Sequence, residues 1–432
     1  MKKVAFYTLG CKMNFHETAY MREQFVKKGY EIVPFNETAD VYIINTCTVT
    51  SSADAKSRKA VRRAKRKNPE SLVVVTGCYS EVYPEDVERL KEADIITGNV
   101  EKFKMVEIVE NLNQRRLIRG VWNEVKFFPL LNLDYGEKSR AFVKIQQGCE
   151  SFCSYCIIPK ARGRYLSEHP EKVVEHIKLL IDKGYSEIVL TGTHLGAYGK
   201  DIGYSLDKLL RELIDISGKF RIRLSSIEPQ EFTEELIEIV TSEKVASHFH
   251  IPLQSGSNKV LKLMGRRYTR EYFTSLVEKL VQVKKDVCIG TDVMVGFPGE
   301  LESDFMETFS LIKDLPFGYI HVFPYSERKG TKAYFMEGKV KNGVKRERSE
   351  KLIELGKEKS FDFRSRFKGK TLECVSVDSN RKRVALSSNY IHVEVDKDIL
   401  PKGIFKVKLT EIGEEREDNR GVVILEDVLK TL

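Results

Sequence analysis

The sequence predicts an α/β protein in three parts: an amino-terminal doubly wound parallel sheet, a central partial (βα) barrel and a small carboxyl-terminal β-barrel. Three observations predict it. Apolar, β-rich runs alternate with helical stretches at the start of the chain. Six further strand–helix units follow from Arg140 onward. From Gly369 the pattern changes to short alternating strands. A chain of 432 residues is too long for one ordinary domain, and the expected ranges are 1–118, 135–366 and 367–432.

In the first range the strands are Val4–Thr8, Val41–Asn45 and Leu72–Thr76, with helices expected over 16–28 and 52–67. Such runs suit parallel strands buried on both faces. A cysteine follows each strand: Cys11, Cys47 and Cys78. The carboxyl ends of parallel strands share one edge, where ligands bind, so three thiols placed there can converge on one metal centre. Buried Cys is common, but that alone does not put all three at the same structural position. Between Lys56 and Lys67 stand Lys56, Arg58, Lys59, Arg62, Arg63, Lys65, Arg66 and Lys67, with no acid. Ala53, Ser57, Ala60, Val61 and Ala64 recur at helical spacing and form the buried stripe. The remaining face is of one sign, whereas solvated helices usually mix signs; that favours phosphate contacts, hence nucleic acid. An irregular connection is expected over 111–138, with Trp122 in it.

The strand Ala141–Ile145 feeds the stretch Gly148-Cys149-Glu150-Ser151-Phe152-Cys153-Ser154-Tyr155-Cys156, a CxxxCxxC pattern. Iron–sulfur clusters are held by thiolates at short spacings of this kind, and three thiolates on a four-iron cluster leave one iron open. The alternatives are a zinc site with a distant fourth ligand, or inert buried thiols. Further strands are expected at 187–190, 221–226, 248–251, 287–295 and 319–323. Active sites of such barrels lie at the carboxyl ends of the strands. Those ends carry Thr191, Gly192, Glu228, Gln254, Ser255, Asp292 and Gly296. Cys288 and Cys374 fall inside strands and read as core. Arg266 and Arg267, by a helix start, are candidates for a phosphate backbone.

Residues 341–367 read as a charged helix. The final strands are expected at 372–377, 390–395, 404–409 and 421–425. From Lys368 to Leu432 the chain holds twelve basic and twelve acidic residues, so RNA contact there falls to a local patch, Arg381, Lys382 and Arg383. The whole chain, with 72 Lys plus Arg against 63 Asp plus Glu, is moderately basic, and that balance alone proves no nucleic-acid partner. No apolar run is long enough for a membrane span, and Met1–Thr8 turns polar too soon for a signal peptide. A cytoplasmic, reducing location is therefore expected, where the eight cysteines are metal ligands or catalytic groups rather than disulfides.

The cysteine spacing, with aromatic Tyr155 before the last thiol, resembles the radical S-adenosylmethionine (SAM) enzymes. The three parts together resemble the methylthiotransferases. Within that family, Thr8–Asn14, Asn45–Thr50, Gly148–Gly163 and Thr191–Gly199 look most like the branch acting on threonylcarbamoyladenosine in tRNA. The resemblance implies an auxiliary-cluster domain, a radical SAM barrel and a TRAM-like RNA-binding barrel. It implies two 4Fe–4S clusters, one on Cys149, Cys153 and Cys156 and one on Cys11, Cys47 and Cys78. SAM would be held by the barrel-edge residues and Tyr155. A radical derived from SAM would act on carbon 2 of the adenine, and the second cluster would deliver a methylated sulfur. The implied partners are tRNA, a low-potential electron donor of the flavodoxin or ferredoxin type and a sulfur donor, with no membrane. The rival readings are the related branches acting on isopentenyladenosine or on an aspartate of a ribosomal protein, another radical SAM reaction on a small molecule, and a non-catalytic zinc-stabilised RNA-binding protein.

Overall fold

In a computed structural model of the chain, residues 1–111, 114–123, 127, 130, 139–379, 382–395 and 400–424 are described. Most of the expected irregular connection over 111–138, and Arg381, lie outside them. Six parallel strands form the amino-terminal sheet: β1 (Lys3–Thr8), β2 (Glu31–Val33), β3 (Val41–Thr46), β4 (Leu72–Gly77), β5 (Ile95–Thr97) and β6 (Arg116–Leu117). Their order is β2-β1-β3-β4-β5-β6. Alternation along the strands sends Ala5, Tyr42, Ile44, Val73 and Val75 into one apolar layer. Val4, Val41, Ile43 and Val74 enter the other, with Met21 and Phe25. Both faces are covered, so every residue of β3 is buried and the strands read as continuous apolar runs.

Two helices position the edge. α1 (Lys12–Lys27) begins four residues earlier than expected. α2 (Ser51–Lys67) is capped by Thr50, whose hydroxyl accepts from the Ala53 amide at 3.2 Å. Its buried stripe is Asp54, Ser57, Ala60, Val61 and Ala64, the expected one with Asp54 in place of Ala53, which is half-buried.

All six expected barrel strands form: β7 (Arg140–Lys144), then, beyond a short ladder of β8 (Gln146–Gln147) with β9 (Leu166–Ser167), β10 (Glu187–Thr191), β11 (Arg221–Leu224), β12 (His248–His250), β13 (Cys288–Val295) and β14 (Phe317–Pro324). They pair in parallel as β11-β10-β7 and β12-β13-β14. A parallel bridge from Ile222 to Val245 links the two halves. The charged helix runs over Asn342–Ser365. The last part is a closed barrel of five strands, in the order β15-β16-β17-β19-β18: β15 (Thr371–Ser379), β16 (Lys382–Ser387), β17 (His392–Val395), β18 (Ile404–Glu411) and β19 (Arg420–Val423). The sequence reading expected four strands; β16 was hidden by its basic start. Cys288 and Cys374 are core, 2% and 0% exposed, and burial pushes both thiols up to about 12.

The chain packs as two compact units that do not follow the linear ranges. The first gathers the amino-terminal sheet domain, Gln146–Ser167 and Ser326–Phe335. The second gathers Glu168–Tyr325, the strand β7 and the carboxyl-terminal barrel.

The second unit is fastened at one carboxylate. Glu187, on β10, is 0% exposed. Arg221 Nε donates to it at 2.6 Å and Arg223 Nε and Nη2 at 3.0 and 2.8 Å. Arg140 Nε makes an ion-pair contact at 2.7 Å at an angle that forms no hydrogen bond. The outer nitrogens of Arg221 reach the carbonyls of Glu373 and Leu386, and those of Arg223 the carbonyls of Ser387 and Ser388. One buried anion thus orients two guanidiniums that hold the carboxyl-terminal barrel by its backbone. Burial works to raise the Glu187 carboxyl, but the three guanidiniums hold it well below the usual range. Its contribution is therefore full above the ordinary carboxylate pKa and lost as pH falls below it. Removing one partner of a buried pair costs about 3–5 kcal/mol. Glu187→Gln should lower the denaturant midpoint of this unit by a corresponding amount, and the deficit relative to the parent protein should shrink as pH falls below about 4; equilibrium unfolding at several pH values measures both.

Candidate metal centres

In the first unit, the turns after β1, β3 and β4 carry Cys11, Cys47 and Cys78. Cys11 caps α1 and is exposed; Cys47 and Cys78 are buried. Gly77, at φ +103°, makes the entry to Cys78 possible: a Cβ there would lie 2.6 Å from the Thr46 carbonyl oxygen. A Cβ on Gly10 would lie 2.9 Å from Cys47 Sγ, which places the first turn against the second thiol. Burial pushes the Cys47 thiol up to about 11; the Val49 amide pulls the other way, and the Cys78 and Cys11 thiols add to the rise. The three strand-end cysteines thus lie near enough to one another to interact electrostatically.

Beside them is a buried charged network that the sequence reading did not assign. Lys102 Nζ donates to Glu17 at 2.6 Å and to the Asn99 side-chain oxygen at 2.7 Å. The Arg162 guanidinium donates to Glu17 and to the side chain of Asn14. Asn14 Nδ2 in turn holds the carbonyls of Leu9 and Thr46, at 2.6 and 3.0 Å, so it ties the first turn to the second. Asn99 Nδ2 lies 3.8 Å from Cys78 Sγ and donates to the Ala161 carbonyl at 2.6 Å. Burial alone would lower the Arg162 guanidinium, but Cys78, Glu17 and Cys11 raise it well above its ordinary value. A permanent cation here favours the thiolate form that iron ligation requires. Arg162 lies six residues beyond Cys156, so the network joins the two cysteine sets within one compact unit. Asn14 and Arg162 stand inside recognised motifs, the one available signal; Glu17 and Lys102 gave none.

The second set lies on the loop between β8 and β9. Cys149, Cys153, Cys156 and Tyr155 are half-buried. The Cys149 amide donates to the Gly163 carbonyl at 3.0 Å and the Cys156 amide to the Cys153 carbonyl at 3.0 Å, which folds the loop back on itself. Gly148 is required: at φ +76°, a Cβ would lie 1.5 Å from the Arg164 carbonyl oxygen. Phe152, at φ +49°, is exposed and stacks on Trp122 at 6.0 Å. The Trp122 indole donates to the Pro159 carbonyl at 3.0 Å.

The donor chemistry suits a cluster better than a single ion. A tetrahedral zinc with bonds of about 2.3 Å draws its sulfurs to about 3.8 Å of one another. Among the described residues, the only His, Cys, Asp or Glu group of three with ligand atoms mutually within 4.8 Å is His250, Asp292 and His321, not either cysteine set. Iron–sulfur clusters take each thiolate on a different iron, so wider spacing fits them.

On α2, Lys56, Lys59, Arg62, Arg63, Arg66 and Lys67 are exposed. Arg58 is partly engaged, donating to Tyr79 Oη at 2.9 Å, and Lys65 pairs with Asp94 at 2.8 Å. Asp54, on the opposite face, is buried against Thr48 and Arg328, at 2.6 and 2.5 Å.

The barrel-edge residues belong to the second unit. Gln254 has φ +66°, an uncommon backbone state for a non-glycine residue. Its amide and carbonyl bond Asp292 and Met294 across β13, at 2.8 and 2.9 Å. Ser255 is 1% exposed and its hydroxyl meets Thr308 and the Ser257 amide. Thr191 is buried and donates to the Val143 carbonyl at 3.2 Å; Gly192 is half-buried. The Gly296 amide is taken by Glu300 at 2.9 Å. The Asp292 carboxyl is held well below the usual range by His250 and His321, although burial opposes this. Arg266, expected on a phosphate backbone, is corrected: its side chain is 5% exposed and paired with Glu228, because a charged group near a helix start can turn inward when a carboxylate awaits it. Arg267 and Arg383 are exposed; Arg381 and the Lys382 side chain lie outside the described residues.

Comparisons with known proteins complete the picture. Residues 3–98 match the family described as "Uncharacterized protein family UPF0004", and residues 143–312 match the radical SAM superfamily. The chain is 46% identical to the threonylcarbamoyladenosine tRNA methylthiotransferase MtaB of Aquifex aeolicus, over 91% of this chain and 96% of that protein. It is 42% identical to the MtaB of Bacillus subtilis, over 99% and 98%. It is 33% identical to the tRNA-2-methylthio-N(6)-dimethylallyladenosine synthase of Fusobacterium nucleatum, over 94% and 95%. Among solved structures, the radical SAM methyltransferase TsrM of Kitasatospora setae shares the fold, with TM-score 0.54 at 16% identity over 75% of this chain and 73% of that one.

Arg162→Ala leaves Glu17 with Lys102 as its charged partner and frees the segment after Cys156. It should cost about 3 kcal/mol in equilibrium unfolding and lower the iron retained after anaerobic reconstitution. Arg162→Lys should recover part of the stability but less of the iron, since a point charge cannot reach Glu17 and Asn14 together.

Proposed function

The chain belongs to the radical SAM tRNA methylthiotransferases, and from that footing we propose that it adds a methylthio group to carbon 2 of N-threonylcarbamoyladenosine beside the anticodon of tRNA, in the cytoplasm. The observation that carries this reading is the sharing of one locale by Cys11, Cys47 and Cys78, in the same compact unit as the Cys149, Cys153 and Cys156 loop. Cys149, Cys153 and Cys156 would hold the 4Fe–4S cluster that works with SAM, and Cys11, Cys47 and Cys78 a second. When bound, SAM and these clusters supply the radical that activates an otherwise inert aromatic C–H and the sulfur that replaces its hydrogen. A low-potential electron donor of the flavodoxin or ferredoxin type and a sulfur donor complete the requirements.

The protein's own part is placement. Buried Arg162 keeps positive charge by the strand-end thiols, while burial pushes the Lys102 ammonium down against the pull of Glu17. Gln254, Glu228, Asp292 and the glycine-bearing turns at Gly192 and Gly296 are the proposed contacts for SAM in the second unit. The exposed cations of α2, with Arg267 and Arg383, are the proposed phosphate contacts. The target base must leave its stack to be reached.

Nucleoside mass spectrometry of tRNA from a deletion strain tests the substrate. The methylthio form of threonylcarbamoyladenosine should vanish and return with the intact gene. Its persistence, or loss of the methylthio isopentenyl nucleoside instead, sinks the assignment. Cys47→Ala should retain SAM cleavage while methylthio product falls below detection, and the reconstituted iron should drop by about half. For RNA, the Lys56→Ala, Lys59→Ala, Arg62→Ala triple variant should bind tRNA more weakly and flatten the slope of log affinity against log salt by about two to three; an unchanged slope removes α2 from the interface.

A further inference from the structure

Three adjacent parallel strands of the second unit present a set of donors of which the proposed reaction uses only Asp292. His250 lies on β12, Asp292 on β13 and His321 on β14. In register, His250 pairs with Gly290 and Asp292 with His321, so alternation puts all three side chains on one face, opposite fully buried Ile289 and Val293. His250 Nε2 lies 3.1 Å and His321 Nδ1 3.3 Å from the same oxygen, Asp292 Oδ1. The three ligand atoms fall mutually within 4.8 Å.

From this geometry we propose that His250, Asp292 and His321 form a mononuclear site for a first-row divalent transition metal, distinct from both cysteine sets. Bonds of about 2.0–2.2 Å at angles of 90–110° require neighbouring ligand atoms about 2.9–3.5 Å apart. The two nitrogen–oxygen separations already meet that requirement, and the two ring nitrogens lie within 4.8 Å of each other. Two imidazoles and one carboxylate suit zinc, manganese or ferrous iron rather than calcium or magnesium, which prefer all-oxygen sets.

The surroundings supply what such a site needs. Tyr319 Oη lies 3.0 Å from His250 Nδ1 and 2.9 Å from His248 Nε2. With a metal on Nε2, His250 carries its proton on Nδ1 and donates to Tyr319, whose hydroxyl donates to His248. The partner on the second nitrogen thereby fixes the tautomer that presents a lone pair to the ion. Gly290 makes room for this: a Cβ there would lie 2.0 Å from the Tyr319 ring. The His321 side chain is 49% exposed and that of Asp292 24%, which leaves coordination positions open to water or to a polar group of a substrate.

Manganese titration followed by electron paramagnetic resonance tests the site, using anaerobic, cluster-loaded protein so that the cysteines are occupied. Manganese is chosen because it has little affinity for thiolates. The free-ion signal should fall until one ion per chain is bound, and added zinc should restore it. Asp292→Asn should abolish binding, and His321→Gln, a change at a half-exposed position that leaves the fold intact, should weaken it at least tenfold. A free-ion signal unaffected by the parent protein up to millimolar metal overturns the proposal. So does equal binding by the parent and His321→Gln. Because the readout is metal binding and not tRNA modification, either result leaves the functional reading to its own test.

Discussion

One buried carboxylate organises the second unit. Glu187 is worth little as a lone anion in an apolar interior, where an unpaired charge is prohibitively costly. It survives because three guanidiniums meet it, and they survive because it meets them. What the cluster adds beyond self-compensation is direction. Arg221 and Arg223 lie flat between Glu187 and four carbonyls of the carboxyl-terminal barrel, and a planar fork can serve both sides at once where an ammonium cannot. The neutral overall charge of that barrel is no obstacle to docking of this kind, since the contact reads backbone oxygens and not side-chain sign.

A second buried carboxylate, Glu17, plays the corresponding part in the first unit. It joins Lys102 and Arg162 from segments far apart in sequence, and through Asn14 the turns after β1 and β3 are tied to the same point. Loops that carry candidate metal ligands have few regular hydrogen bonds to hold them. Here polar side chains under the loops take over that task, and the same groups set the charge felt by the thiols.

Much of this was legible in the sequence. Parallel strands buried on both faces are apolar throughout, so Val41–Asn45 and Leu72–Thr76 announced themselves. The rule that ligands gather at strand carboxyl ends then placed Cys11, Cys47 and Cys78 together before any coordinates. The misses share a cause: charge was read as surface. Arg266 turns inward to Glu228, and β16 was overlooked because Arg381, Lys382 and Arg383 resemble an exposed patch although Val384, Ala385 and Leu386 behind them are core. Glu17, Lys102, Glu187, Arg221 and Arg223 have no periodic signature, because a buried ion pair is specified by the partner that the fold brings and not by neighbours in the chain. His250, Asp292 and His321 were invisible as a set for the same reason, since only strand register assembles them.

The uneven division of the chain has a consequence for how such proteins can be cut and recombined. By its packing, the loop bearing Cys149, Cys153 and Cys156 goes with the amino-terminal sheet, as does the later segment holding Arg328. A fragment excised along the linear boundary of the central barrel would carry the CxxxCxxC sequence but abandon the side chains that shape it. A chimaera between relatives must therefore transplant three separate stretches at once, which couples the inheritance of the two sulfur-rich sites even though the whole of Glu168–Tyr325 lies between the second stretch and the third.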